Sequence, residues 1–335
     1  MTAKPRAVSG MRPTGKLHLG HLVGALRNWV PLQDTHECFY FVADWHALTS
    51  DYSNTAPLTG YALDNLADWI SVGLDPDRST IFIQSLVPEH AELFLLLSMV
   101  VPIPWLERVP TYKEQQEQMS DKDLSTLGFL GYPLLQTADV ALYDARSVPV
   151  GEDQVAHLEL SREVVRRFNQ FYGEVLVEPQ PLLTPVPRLP GLDNRKMSKS
   201  YKNTIELGDD LKTVQKKVRM MYTDPKRTRA DIPGTVEGNP VFMYHDAFNP
   251  DIDEVDDLKK RYVLGKVGDV EVKTKLANAL NQLMDPWRER RDYFETHPEL
   301  VIEALRSGTE HYRAKAQETM EMVRGALKLD YLQKD

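Results

Sequence analysis

One cysteine, Cys38, stands in 335 residues, so no internal disulfide is open to the chain, and no Cys/His group has zinc-ligand spacing. A reducing cytoplasm is the expected setting. Long apolar runs are missing too. The longest, Leu93 to Val101, is about half a membrane span and stops at Pro102, which predicts a buried helix and no membrane association. The N-terminal Met-Thr-Ala-Lys-Pro-Arg-Ala-Val lacks the apolar core of an export signal. A net positive charge is also absent, since 40 Lys and Arg face 49 Asp and Glu, for a net charge of -9.

That average conceals an asymmetry. From Lys196 to Ile232, ten Lys/Arg face five acids, an excess of +5 that leaves -14 for the remainder. On spacing alone the segment reads equally well as a phosphate footprint or as a solvated helix face.

With 42% hydrophobic and 27% charged residues the chain is globular, and its length suits two domains. The first two hundred residues alternate short apolar runs with amphipathic stretches, which predicts an α/β fold with a parallel sheet. Candidate strands are Ala7 to Met11, Cys38 to Ala43, Thr80 to Ile83 and Val148 to Val150. Helical spacing relates Ala62, Leu63, Leu66, Trp69 and Ile70, and again Val155, Leu158, Val165, Phe168 and Tyr172, with Gly173 as a stop. The Pro-rich stretch Pro179 to Pro190 reads as a loop or extended connector. From about Leu211 the pattern is helical almost to the end. There Val301, Ile302, Leu305, His311, Ala314, Met320, Met322 and Val323 share a long helix.

Two short strings carry chemistry. Arg12-Pro13-Thr14-Gly15-Lys16-Leu17-His18-Leu19-Gly20-His21 lies between a strand and an apolar helix start. Such a turn exposes backbone N–H groups and a helix N-terminus to phosphate, and Gly20 lets a ligand approach closely. His18 and His21, three apart, are placed to donate to phosphate oxygens from one side. Lys196-Met197-Ser198-Lys199-Ser200 follows the connector. Its two lysines suit the β- and γ-phosphates, where charge gathers during attack at an α-phosphorus.

His18-Leu19-Gly20-His21 resembles the HIGH signature of the class I aminoacyl-tRNA synthetases, and KMSKS at 196–200 matches their second signature letter for letter. The resemblance implies a Rossmann-like catalytic domain over 1–205, with a helical insertion at about 85–147, and a helical anticodon-binding domain over 206–335. Tyr132-Pro133-Leu134-Leu135-Gln136-Thr137-Ala138-Asp139 resembles the substrate helix of the tryptophanyl and tyrosyl branches. Val148-Pro149-Val150-Gly151-Glu152-Asp153-Gln154, with His157, Glu159 and Leu160, is similar to the tryptophanyl branch. So are Asp44-Trp45-His46-Ala47-Leu48-Thr49 and Leu106-Glu107-Arg108-Val109-Pro110-Thr111-Tyr112-Lys113-Glu114.

By that resemblance His18, His21, Lys113, Lys196 and Lys199 are the catalytic set. ATP would meet Arg12, Pro13, Thr14, Gly20, His21, Gly151, Glu152, Asp153, Leu189, Lys196, Met197, Ser198, Lys199 and Ser200. Tryptophan would meet Val8, His46, Tyr132, Gln136, Asp139, Val148, Val150 and Gln154. Asp139 would accept the indole N–H, while Gln154 and Tyr132 would hold the α-amino group. The implied reaction joins L-tryptophan to AMP and then to tRNA(Trp), with ATP and Mg²⁺, in a homodimer. No protein metal ligand and no DNA partner are expected, and tyrosine is the alternative substrate. Common bacterial members of the tryptophanyl branch carry Thr and Asn at His18 and His21, Gln at Arg12, Phe at Val8 and Met at Gln136, which makes this a divergent sequence.

Overall fold

Five parallel strands form one sheet: β1 (Arg6–Met11), β2 (Glu37–Val42), β3 (Ser79–Ile83), β4 (Ser147–Val150) and β5 (Gln180–Leu183), in the order β3-β2-β1-β4-β5. These come from a computed structural model that describes residues 4–109, 112, 122–151, 154–183, 189–197 and 201–331. Strand β2 is buried from Cys38 to Val42, as a parallel strand must be when both faces of its sheet are covered. The expected α/β, Rossmann-like class is the one found. The strand order reverses beside β1, so the crevice at the carboxyl ends of β1 and β4 is where this architecture takes ligands.

The connector prediction needs one correction. Gln180 to Leu183 is a fifth strand, in register with β4 from Ser147↔Gln180 to Val150↔Leu183. Pro181 is tolerated there because β5 is an edge strand, where a missing N–H breaks no second ladder.

In chain order the helices are α1 (Leu19–His21), running through a π turn at Leu22–Leu26 into α2 (Arg27–Thr35), then α3 (Asp44–Asp51), α4 (Leu58–Val72), α5 (Glu89–Ser98), α6 (Ile103–Glu107) and α7 (Leu127–Ala141). After them come α8 (Val155–Tyr172), α9 (Leu211–Arg219), α10 (Pro240–Phe248), α11 (Ile252–Val263), α12 (Asp269–Thr296) and α13 (Pro298–Ala326). Side chains fix several starts: Thr126 accepts from the Phe129 N–H, Asp210 from Thr213 and Asp251 from Glu254. Helix α8 buries Leu158, Val164, Val165 and Phe168, each worth roughly 1.5–3 kcal/mol, and closes at Gly173.

Three helical expectations shift. Helix α5 ends at Ser98, before Pro102, and leaves Leu95 and Met99 exposed. The helical pattern from Leu211 is interrupted between Arg219 and Pro240. On α13 the inward stripe is Val301, Leu305, Tyr312, Ala316, Met320 and Val323. His311, Ala314, Ile302 and Met322 face out, because the aromatic Tyr312, not its neighbour, sets the helix rotation.

The chain divides into two compact units, one of Met1–Gly15, Asn28–Pro185 and His297–Asp335, the other of Lys16–Arg27 and Val186–Thr296. This division does not follow the boundary drawn at 205 on the sequence. Residues 16–27 fold with the helices α9 to α12, and α13 packs on β3 of the sheet.

Candidate active site

In the sheet unit, the polar centre is Asp139 on α7, almost fully buried. Its Oδ1 accepts from Gln84 Nε2 and faces His90 Nδ1, both at 2.7 Å, while His46 Nε2 lies 2.7 Å from Oδ2. Burial alone would raise the carboxyl, but the charges and hydrogen bonds of His46 and His90 outweigh it and hold it at about 2. Among the described residues, three of roughly four acceptor positions are thus filled, which leaves one on Oδ2. Tyr132, Gln136 and Asp139 follow one another at helical spacing, so they share a face of α7. The ring of Tyr132 lies 5.9 Å from that of His157. Gln154 sits at the start of α8, its N–H bonded to the Gly151 carbonyl at 3.0 Å.

Val8, Val148 and Val150 are all buried in the hydrophobic core beside the sheet. Strands covered on both faces turn such side chains into packing. Arg12, at the end of β1, donates to Ser50 Oγ at 2.5 Å and lies 3.6 Å from Asp51. Burial lowers its pKa, opposed by Asp51 and Tyr132. Its charge is therefore partly answered by Asp51, which also meets Lys122 at 2.5 Å.

In the other unit, residues 17–19 pair with residues 205–207: Leu19 N–H donates to the Ile205 carbonyl at 3.0 Å and Leu207 N–H to that of Leu17 at 2.9 Å. His18 caps the helix, its Nδ1 accepting from the Gly20 N–H at 3.1 Å, and His21 Nδ1 accepts from the His18 N–H at 3.1 Å. The rings lie 3.9 Å apart. A ring nitrogen that accepts carries no proton, so in each ring the N–H lies on Nε2.

The two signatures meet at Gly20. A Cβ on that residue would lie 2.7 Å from Met197 Sδ and 2.9 Å from the His18 ring. The space a side chain would take at Gly20 is thus occupied by Met197 and His18. Lys196 is exposed, and its carbonyl accepts from Asn203 Nδ2 at 3.1 Å. The same Nδ2 donates to Asp193 at 2.8 Å, the first cause of an Asp193 pKa near 2, with Arg195 adding to it. Leu189 is half-buried beside Pro190, whose carbonyl takes the Tyr244 hydroxyl at 3.0 Å. Pro13 is buried and Thr14 exposed, its N–H turned back to the Arg12 carbonyl. Lys113, Glu152, Asp153, Ser198, Lys199 and Ser200 lie outside the described residues.

Gln84, His90, Tyr143, Asp193 and Asn203 were missed in the sequence. For Gln84 the usable signal was position, a polar residue directly after the carboxyl end of β3, whereas His90 is the second residue of α5.

A family model described as tRNA synthetases class I (W and Y) matches residues 1–285. The tryptophan–tRNA ligase of Thermotoga maritima is 49% identical, covering 97% of this chain and 99% of its own length. That of Treponema pallidum is 48% identical, covering 97% of each. The crystal structure of tryptophanyl-tRNA synthetase from Campylobacter jejuni with ADP and tryptophan superposes with a TM-score of 0.87 at 32% identity, over 96% of this chain and 99% of that one.

Proposed function

Because this chain belongs to the class I tRNA synthetases of the W and Y group, we propose that it activates L-tryptophan with ATP and transfers it to tRNA(Trp). In the first step a tryptophan carboxylate oxygen attacks the α-phosphorus, the bond to the bridging oxygen breaks, and pyrophosphate leaves. In the second, the 2′-hydroxyl of the terminal tRNA adenosine attacks the acyl carbon and AMP departs. No covalent enzyme intermediate and no protein base are needed, so catalysis is positioning and charge stabilisation.

The observation that carries this reading is the closure of Met197 on Gly20, which joins both signatures at one turn. The Nε2 protons of His18 and His21 are donors for phosphate oxygens, and Lys113, Lys196 and Lys199 supply charge as pyrophosphate leaves. Arg12, Pro13, Thr14, Gly151, Glu152, Asp153, Leu189, Ser198 and Ser200 complete the proposed nucleotide contacts. For the amino acid, the remaining acceptor of Asp139 Oδ2 takes the indole N–H, and Tyr132 and Gln154 take the α-amino group. His46, Gln136, Val8, Val148 and Val150 shape the surroundings. Among the described residues no three His, Cys, Asp or Glu side chains are grouped to hold a metal. Mg²⁺ would be carried by the triphosphate oxygens and would neutralise their charge.

The helical segment from 206 to 335 is proposed to carry the anticodon contacts, with Lys212, Lys216 and Arg219 exposed on α9 as phosphate partners. A homodimer is proposed through the exposed Leu95, Met99, Ile103 and Leu127 of α5 to α7, an apolar set of the kind interfaces cover. No helix among the described residues is long and apolar enough to cross a membrane, and the cytoplasm is the proposed location.

Exchange of labelled pyrophosphate into ATP, run with each of the twenty amino acids, tests the assignment. Stimulation by tryptophan alone is expected. Stimulation by tyrosine would restore the tyrosyl alternative, which the relatives' tryptophan–tRNA ligase names do not favour.

A further inference from the structure

Either oxygen of an aspartate can face a given donor, because the terminal torsion is broad and roughly two-fold. At Asp139 that freedom is gone. Oδ1 receives Gln84 Nε2 and His90 Nδ1, both at 2.7 Å, and two donors fill its acceptor positions. His46 occupies only one position on Oδ2. The His90 ring is itself fixed, since its Nε2 lies 2.8 Å from the Tyr143 hydroxyl. With Nδ1–H donated to the carboxylate, the contact of Nε2 with the Tyr143 hydroxyl fixes the orientation of the ring. Tyr143 in turn stacks on Tyr312 of α13 at 3.5 Å between ring centroids, and Tyr312 lies 3.4 Å from Phe82 of β3.

We infer that Gln84 and His90 are positioning residues that saturate Oδ1 of Asp139, turning Oδ2 alone toward the side-chain N–H of the bound amino acid, with Tyr143 holding His90 to that task. Both Gln84 and His90 are wholly buried, so they act through the carboxylate and do not touch the ligand. The inference rests on the reading of Asp139 as the indole partner. It adds that specificity for a donor-bearing ring is set one layer behind the carboxylate.

The test is pyrophosphate exchange with tryptophan and with its benzothiophene analogue, which lacks the N–H, in His90→Phe, His90→Asn, Tyr143→Phe and Asp139→Ala. His90→Phe should raise the tryptophan KM about ten- to hundredfold, as for loss of a charge-assisted hydrogen bond, and reduce discrimination against the analogue to a similar degree. The KM for ATP should stay within about twofold, because the loss is confined to one ligand. His90→Asn, whose amide N–H replaces Nδ1–H, should recover most of the discrimination, and Tyr143→Phe should fall between. If His90→Phe does not fold, Gln84→Leu carries the same expectation on Oδ1. Parent-like discrimination in His90→Phe or Gln84→Leu overturns the inference, as does an equal rise in both KM values with no rescue by Asn. Asp139→Ala separates the two layers. Discrimination kept in that variant would refute the indole reading itself, whereas discrimination lost there but kept in His90→Phe would refute the positioning role alone.

Discussion

The Asp139 cluster and the His18–His21 turn are both histidine-rich, yet they are built in opposite ways. The turn satisfies itself locally: His18 and His21 bond backbone groups two or three residues away. The cluster is assembled from distant parts, with Gln84, His90 and His46 reaching Asp139 across 55, 49 and 93 residues. A local turn is cheap to form and easy to adjust, because the backbone that needs the hydrogen bond also supplies it. A buried side-chain cluster is costly to alter, since removing one member leaves the others unpaired in a poorly polar interior.

The largest expected effect falls on the cluster. Asp139→Asn sets an amide N–H against the donors of Gln84, His90 and His46. It should lower kcat/KM for tryptophan by about 2–4 kcal/mol, measured by pyrophosphate exchange. The same variant should change the acid limb of stability. The carboxyl has an ordinary value of 3.8 and a folded value of about 2, so its stabilisation is full above the first and is lost as pH falls through the second. That amounts to about 2 kcal/mol. Urea unfolding between those pH values should therefore be flatter in the Asn protein, and equal slopes would show that the buried charge is not linked to folding.

A smaller effect is expected at the turn. Gly20→Ala places a Cβ against Met197 Sδ and the His18 ring. The cost is about 1–2 kcal/mol, because the end of a methionine side chain moves more easily than a packed core. The KM for ATP should rise while that for tryptophan holds, and Met197→Ala in the same chain should return part of the loss. If the tryptophan KM rose equally, the contrast between the two regions would collapse.

The smallest effect concerns the basic segment, where the structure sorts the charges. Lys217 is paired with Asp209 at 2.6 Å, and Arg227 is buried against the Ala230, Ile232 and Val267 carbonyls, so neither is offered to RNA. Replacing exposed Lys212, Lys216 and Arg219 by Gln should reduce the slope of log tRNA affinity against log salt by roughly 2–3. An unchanged slope would make this face merely solvated. Lys217→Gln alone should leave the slope as it is.

The same contrast explains what could be read from the residues in order. The four predicted strands, the turn after β1 and the helices α4 and α8 depend on nearby residues, and all were legible. β5 was not, because its pairing with β4 overrides a proline-rich composition that locally reads as a connector. At the site, Asp139 and His46 were found through resemblance, while of their partners only Gln84, directly after β3, is marked by position, and His90 and Tyr143 carry no local mark. Nothing in the string around His90 says that folding will bring it against α7. Likewise Tyr312 lies in a segment that looks like any amphipathic helix until β3 is set beside it.

Helix α13 carries one more consequence, for the order of events during synthesis. It lies so close to β3 that a Cβ on Gly308 would stand 2.1 Å from the Ile81 carbonyl oxygen, so no other residue lets the helix dock there. Yet residues 297–335, which complete the sheet unit, follow residues 186–296 of the other unit. On a ribosome the sheet unit must wait while roughly a hundred intervening residues are made, about 5–20 s at ordinary elongation rates, before Tyr312 can cover Phe82 and Tyr143. During that interval an aromatic surface meant for the interior faces the cell, and a nascent chain halted before His297 is the form in which chaperones and proteases would meet it.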